Sequence, residues 1–331
     1  MTSLGRTRTG SSNMSENTLP KTITTQELMD LDYRYHYSDE ELLEDWRRLK
    51  ATRTFKKGSQ FKPGMKLCQH FFENFWHIKS DKGLSFADAW QDYDIMDNVR
   101  EWGLKGMSNL WLSWIRRAVY MRASLPNSSF YRPHFAKQVC MLQMEHSGDW
   151  ISPGRVFDPC MGWGGRMLGS VAQGWHYTGC DPNLTTFANL TDMTQFLGIN
   201  DQVSMHNMGA EQFDYASMDP VDVVITSPPY FNLEVYTSDA NQSYNQHTTY
   251  AAWRDNWYVP IIESCLSRLQ PNGISAWNVM NSKKNDMVGD LIATHERRGW
   301  YLTGTVGFDS PLANIRKLKN RDVTYLFRRR T

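Results

Sequence analysis

Two apolar runs that stop at residues built for tight turns constrain this chain more than anything else in it. In Val156-Phe157-Asp158-Pro159-Cys160-Met161-Gly162-Trp163-Gly164-Gly165 the run ends at Asp158 and gives way to glycines. That is the pattern of a buried strand whose backbone must turn sharply beside a ligand. Further on, an apolar strand from Val221 to Ile225, with one acid inside it, is halted by Thr226-Ser227-Pro228-Pro229-Tyr230. Both read as carboxyl ends of strands, where an open α/β sheet collects its ligands.

The surrounding pattern builds such a sheet. Strands are expected over Arg155 to Phe157, His176 to Cys180, Val203 to His206, Val221 to Ile225, Ile274 to Met280, Tyr301 to Val306 and Val323 to Phe327, with helices over Leu184 to Leu197 and Tyr250 to Leu269. Strand alternating with helix at this spacing predicts an α/β fold with a doubly wound, mostly parallel, seven-stranded sheet. The last two strands, with no clear helix between them, are expected to pair antiparallel at one edge. Upstream the chain reads differently. Residues 1–22 are polar and aperiodic and are expected to be a disordered tail. Residues 23–125 carry helical patterns: Thr24 with Glu27 and Ser38 with Glu41 are spaced as capping boxes, and further helical segments lie at Leu67 to His77, Ser85 to Trp90 and Met107 to Met121. Residues 126–331 then hold the sheet and both turns.

Composition enters as exclusion. With 331 residues, 40% of them hydrophobic, the chain has enough apolar surface for a sizeable core. No apolar run reaches the ~18 residues of a membrane span. The stretch Met1 to Lys21 lacks the apolar centre of a signal peptide, so a cytoplasmic location, of bacterial or phage type, is expected. Five widely spaced cysteines, none in a C-x-x-C pair, argue against a disulfide framework and against a zinc site. The net charge of +1 says nothing about nucleic acid, because local clustering decides that. Two clusters stand out. Arg47 to Lys66 holds eight basic residues and no acid, Lys56 and Lys57 among them, and the closing segment adds Arg316, Lys317, Lys319 and Arg321. These are either phosphate contacts or solvated loops.

The chemistry follows from the two turns. Asp181 ends the second strand 23 residues after Asp158, the spacing at which a carboxylate reaches ribose hydroxyls in a nucleoside-binding half-sheet. The glycines lack the G-x-G-x-x-G form, and an acid so early beside the turn suits a cationic or amine-bearing ligand better than a pyrophosphate. S-adenosyl-L-methionine, with its ammonium, sulfonium, ribose and adenine, fits; a plain βα turn is the bland alternative. In Ser227-Pro228-Pro229-Tyr230 the prolines fix φ and remove two donors, leaving the Ser227 and Pro228 carbonyls as rigid acceptors. An exocyclic amino group on a base has two N–H donors and a weakly nucleophilic nitrogen. Holding both donors aims the lone pair at a methyl donor, and alignment of that kind is worth ~7–11 kcal/mol. Tyr230 is suited to stack on an extruded base, for ~1–3 kcal/mol.

Taken together, Asp158-Pro159-Cys160-Met161-Gly162 with Gly164, then Asp181-Pro182, then Thr226-Ser227-Pro228-Pro229-Tyr230, resemble the S-adenosylmethionine-dependent DNA amino-methyltransferases, which methylate cytosine N4 or adenine N6. The resemblance covers roughly Phe130 to Phe327. It implies a Rossmann-like methyltransferase fold, DNA as partner and no metal or membrane; a homodimer is compatible with it. The Ser-Pro-Pro-Tyr form is the one most associated with cytosine-N4 members, although adenine enzymes also carry it. By this likeness Ser227, Pro228, Pro229 and Tyr230 are catalytic. Phe130 and Arg132, in Phe130-Tyr131-Arg132-Pro133, belong to the segment over the methionine part of the cofactor. Asp158 would face its amino acid moiety, with Pro159, Cys160, Met161, Gly162 and Gly164 forming the turn. Asp181 and Pro182 would meet the ribose, and Gly209 and Ala210 the adenine edge.

The sequence departs from that family in two places. Gly209 stands where an acid is common, which shifts discrimination of the adenine amine to Glu211 or to backbone groups. Only residues 281–331 follow the fifth strand, too few for the usual C-terminal recognition domain, so the helical N-terminal part and the loop Phe231 to Thr249 are expected to recognise DNA. In that loop Tyr236, Asn241, Gln242, Asn245 and Gln246 either read base edges or form a polar lid. Trp253, Trp257 and Tyr258 read as core, and His70, His77, His134 and His295 as surface or satisfied histidines. Cys160 is not expected to be a nucleophile, since a carbon-methylating thiolate would follow the fourth strand, where this chain has Pro-Pro. An RNA amino-methyltransferase and a catalytically silent DNA-binding partner are the rival readings.

Overall fold

The computed structural model describes residues 18–53, 62–79, 83–106, 110–125, 129–150, 152–231, 235–236, 240–282, 284–307 and 323–329. Lys56, Lys57, Arg316 and Lys317, the basic residues expected to touch DNA, lie outside the described residues.

Local sequence signals set the N-terminal helices. Helices α1 (Thr25–Met29) and α2 (Asp39–Ala51) begin at the predicted capping boxes, in which Thr24 with Glu27 and Ser38 with Glu41 satisfy each other's donors. There follow α3 (Met65–Phe71), a 3₁₀ turn at Glu73–His77, α4 (Phe86–Trp90), α5 (Tyr93–Gly106) and α6 (Leu112–Arg122). Two expectations change here. Thr18–Leu19, counted with the polar tail, pairs antiparallel with Leu110–Trp111. Of the helix expected over Met107 to Met121, residues 107–109 lie outside the described residues, Leu110–Trp111 are extended to meet that partner, and the helix starts at Leu112.

Helix α7 (Pro133–Ser147) opens with proline in its first turn, where no N–H is needed. Then come β1 (Arg155–Asp158), α8 (Gly165–Ala172), β2 (His176–Cys180), α9 (Leu184–Leu197), β3 (Val203–His206), β4 (Val221–Thr226), α10 (Tyr250–Trp253), α11 (Val259–Arg268), β5 (Leu269–Val279), α12 (Met287–Arg297), β6 (Trp300–Val306) and β7 (Val323–Arg329). The seven strands lie in the order β3-β2-β1-β4-β5-β7-β6, with β7 antiparallel to both neighbours. This is the doubly wound, mostly parallel, seven-stranded sheet that was expected. The antiparallel strand runs between β5 and β6, so β6 forms the margin. Strand β5 starts earlier than expected, at Leu269, which pairs with Val221 ahead of a slip in register.

Strand order reverses between β1 and β4, which pair in parallel through Val156 with Val223 and Phe157 with Val224. The glycine turn and the proline turn therefore leave adjacent strands at the same end of the sheet, at its switch point. Alternate side chains serve two cores, one on each face. Val156, Val223, Ile225 and Ala276 join the N-terminal helices with α7, α8 and α9; Phe157, Val224, Trp277 and Val279 join α10, α11 and α12. The change of composition near residue 125 is thus no break in packing. Lys137 of α7 is fully buried and donates from Nζ to the carbonyls of Leu49 (3.0 Å) and Lys50 (2.6 Å) at the end of α2, where the helix dipole favours a cation.

Candidate active site

The turn after β1 is held from behind by a buried ion pair. Asp158 is fully buried; its Oδ2 accepts from Arg166 Nε at 2.7 Å and from the Tyr177 hydroxyl at 2.8 Å, and its Oδ1 accepts from the Cys160 N–H at 3.1 Å. Arg166, in the first turn of α8, also donates to the carbonyls of Cys160 and Met161. The structure therefore corrects the expectation that Asp158 faces a ligand: the aspartate stands behind the turn, its charge taken up by Arg166. Gly162 and Gly164 take φ of 53° and 71°, which a side chain would strain. A Cβ on Gly165 would come 2.1 Å from the Tyr131 carbonyl oxygen, so glycine lets the Phe130-Tyr131 segment lie against the turn.

A cavity of about 430 Å³ opens between the two turns. From the β1 side it is lined by Pro159, Cys160, Gly162, Asp181, Pro182, Gly209 and Ala210, and from the β4 side by Ser227, Pro229, Tyr230 and Tyr236. Phe130, Arg132, Asp158, Met161, Gly164 and Pro228 are not among its walls. Asp181 accepts the N–H of Gly162 on Oδ2 and of Asn183 on Oδ1, each at 2.9 Å, which leaves each oxygen a lone pair for a further donor. Burial pushes its carboxyl up to about 6, against the pull of those two N–H groups. At Gly209 a Cβ would stand 2.2 Å from Glu211 Oε1, so glycine makes room for the Glu211 carboxylate, whose Oε2 accepts from the Trp257 indole at 2.7 Å. An acid thus lines the cavity at this position after all, two residues later in sequence.

The proline turn is positioned from a neighbouring strand. The hydroxyls of Ser227 and Tyr230 both donate to Oδ1 of Asn278 on β5, at 3.4 and 3.3 Å, and Asn278 Nδ2 donates to Thr324 Oγ1 on β7 at 3.4 Å. The Tyr131 hydroxyl lies 3.0 Å from the same Thr324 oxygen. Phe231, next after the turn, holds φ at 56° with its ring buried against Trp253 and Tyr250, a strained exit that packing enforces. Sequence reasoning missed both Arg166 and Asn278. The signal for Asn278 was a polar residue inside the apolar run of β5.

The N-terminal part closes the cavity. Phe75 stacks on Phe130 (centroids 4.3 Å apart), both meet Trp163 of the glycine turn at 5.2 and 5.3 Å, and Trp163 meets Tyr236 edge-on at 5.9 Å. Lys79 and Val235 exchange both backbone hydrogen bonds at 3.1 Å, and Asn74 and Ile78 line the cavity. Phe130 therefore packs over the turn instead of lining the cavity, while Arg132 caps α7 and lies over Phe135. The loop after the proline turn divides: Tyr236 and Gln242 face the cavity and Asn241 donates to the Pro182 carbonyl at 3.0 Å, whereas Asn245 and Gln246 are exposed. Trp253, Trp257 and Tyr258 are core, as expected, although Trp257 also reaches the cavity. Burial raises the Cys160 thiol well above its usual range, which disfavours the thiolate. His295 is a satisfied core histidine between Ser275 and the Leu291 carbonyl.

No protein-family model matches the sequence, and no curated protein matches it. Among solved structures the chain is similar to a ribosomal protein L11 methylase from Lactobacillus delbrueckii subsp. bulgaricus, at 12% identity and TM-score 0.39 over 62% of this chain and 83% of that one. It is similar to an rRNA methylase from Streptococcus thermophilus at 15% identity and TM-score 0.39, over 62% of this chain and 100% of that one. For a magnesium protoporphyrin IX methyltransferase from Synechocystis with bound SAM the values are 11% and 0.38, over 59% and 79%. Likenesses this low decide nothing about substrate, and the functional reading rests on the site.

Proposed function

We propose that this chain is an S-adenosyl-L-methionine-dependent methyltransferase acting on an exocyclic amino group of a DNA base, cytosine N4 ahead of adenine N6. One observation carries the reading: the Ser-Pro-Pro-Tyr turn and the Asp181 carboxylate line the same cavity, whose volume of about 430 Å³ falls in the ~300–1,000 Å³ range of small-molecule sites. The wall fits the cofactor. Asp181, with an acceptor left on each oxygen, suits the ribose hydroxyls; Ala210, Pro182 and the Glu211 carboxylate suit the adenine and its amine. Bound there, the cofactor supplies a methyl group on a positively charged sulfur.

The chain's own residues do the rest by placement. Asn278 Oδ1 accepts the hydroxyl hydrogens of Ser227 and Tyr230, which leaves the Ser227 oxygen to act as an acceptor. With the Ser227 carbonyl it makes an acceptor pair suited to an amino group that has two hydrogens to donate. Tyr230 offers its ring to the base, and stacking of that kind offsets much of the few kcal/mol that unstacking a base costs, contributing ~1–3 kcal/mol. No strong base is required, because an alkylated amine loses its extra proton readily. Incubation with labelled S-adenosylmethionine and DNA or RNA, followed by nucleoside digestion and mass spectrometry, tests this. N4-methylcytosine from DNA is expected, and N6-methyladenine from DNA would change only the base. Label confined to RNA would move the substrate to the rival class, and no transfer to either would leave a silent scaffold.

A further inference from the structure

An ammonium group carries three N–H donors and, once enclosed, needs acceptors for them. If the cavity takes S-adenosylmethionine, as proposed above, its acids are already assigned. Asp158, the carboxylate expected to meet the amino acid moiety, is behind the turn and paired with Arg166. Asp181 sits at the end of β2, where the ribose is expected, and Glu211 is bonded to Trp257 beside Gly209. One further acceptor belongs to a residue that lines the cavity, Asn74. The side-chain oxygen Oδ1 of Asn74 is buried and has no hydrogen-bond partner among the described residues. Its amide is pinned by the other end, where Nδ2 donates to Thr186 Oγ1 at 3.0 Å.

We infer that Asn74 binds the ammonium of the cofactor's amino acid moiety, which makes the N-terminal helical part a component of the cofactor site. The inference rests on the methyltransferase reading and deepens it. The 3₁₀ turn that carries Asn74 is fixed against the glycine turn on one side, through Phe75 on Phe130 and Trp163, and against the residues after the proline turn on the other, through the Lys79–Val235 bridge. Ser129 and Tyr131, which flank Phe130 in the segment that the resemblance sets over the methionine part, line the cavity together with Asn74, and Asn74 is assigned to that end of the ligand on this ground. Leaving a buried carbonyl oxygen unpaired costs free energy that a ligand donor recovers, and a donor with a full positive charge recovers most.

The test compares two ligands by calorimetry: S-adenosylhomocysteine, which has the amino acid moiety, and 5′-methylthioadenosine, which shares the adenosine and sulfur but lacks it. Wild type is expected to prefer S-adenosylhomocysteine. Asn74→Ala is expected to weaken that ligand roughly 10-fold or more, as for a lost hydrogen bond to a charged group, and to leave methylthioadenosine unchanged. Asn74→Asp, which keeps an acceptor at the same place, is expected to restore the preference, and it carries the test if the alanine variant fails to fold. Equal loss for both ligands, or loss for neither, overturns the role of Asn74 while leaving the enzyme reading intact. Wild type that binds neither compound overturns the methyltransferase reading and this inference with it.

Discussion

The two turns that face each other across the cavity leave neighbouring strands at the same end of one sheet, yet they are held in opposite ways. The glycine turn is fixed from within: Asp158 at its start and Arg166 seven residues past Pro159 close a buried ion pair whose spare donors bind the turn's own carbonyls. The proline turn contains little that holds it. Its hydroxyls lean on Asn278 of β5, its exit is braced by Phe231, and the N-terminal part pairs with Val235 just beyond. On the function proposed above, the turn that would bind the small cofactor is made rigid locally, and the turn that would receive a base takes its orientation from several distant segments, which would then share control of the chemistry.

The largest effect that sharpens this contrast is expected at Arg166. Arg166→Met leaves Asp158 as an uncompensated buried charge, and breaking such a pair costs ~3–5 kcal/mol; urea unfolding should show it, with S-adenosylhomocysteine binding lost alongside. Restoring much of the stability with Asp158→Asn in the same chain would support the pairing, whereas an unshifted midpoint in the single variant would show that the turn is not held from within. Tyr230→Ala comes next. Loss of a stacking contribution of ~1–3 kcal/mol should lower methyl transfer roughly 10- to 100-fold, with unchanged S-adenosylhomocysteine affinity. A parallel loss of cofactor binding would mean the turns are not separable. Asn278→Ala should lower kcat roughly 5-fold, the low end for two lost hydrogen bonds of ~0.5–1.5 kcal/mol each, since both are long and act from behind the proline turn. Asn278→Asp, which keeps the acceptor for both hydroxyls, should retain most of the rate, and equal damage from both variants would refute the acceptor role.

The smallest effect is a pH dependence on the glycine-turn side. Burial raises the folded-state pKa of Asp181 to about 6 from an ordinary 3.8. The folded carboxyl therefore takes up a proton at higher pH than the unfolded one, and its contribution to stability, present below about pH 4, is lost as pH rises through about 6. A ligand that donates hydrogen bonds to the carboxylate favours the charged form. Affinity for S-adenosylhomocysteine should accordingly weaken as pH falls below about 6, by at most ~10-fold per pH unit, and Asp181→Asn should flatten the profile. The same slope in the asparagine variant would assign the titration to another group.

How much was legible beforehand follows the range of the interactions involved. Capping boxes act over three residues and strand alternation over two, so α1, α2 and every strand of the sheet could be read from the chain. The two turns were readable for the same reason, since glycines and prolines restrict the backbone where they stand. Which partner a side chain finds is settled by contacts between distant segments. The sequence carried an acid at Asp158 and another at Glu211, but only packing decided that the first would be neutralised by Arg166 and the second would fold back over Gly209 into the cavity. Asn74 carried no local mark, and Asn278 only its place as a polar residue in an apolar run, because an asparagine acquires a function from what stands within hydrogen-bond distance of it. The sequence by itself determined the sheet, its two turns and the residue types at their tips. The tertiary structure decided which of those residues face the cavity, since burial and charge pairing are properties of the assembled fold.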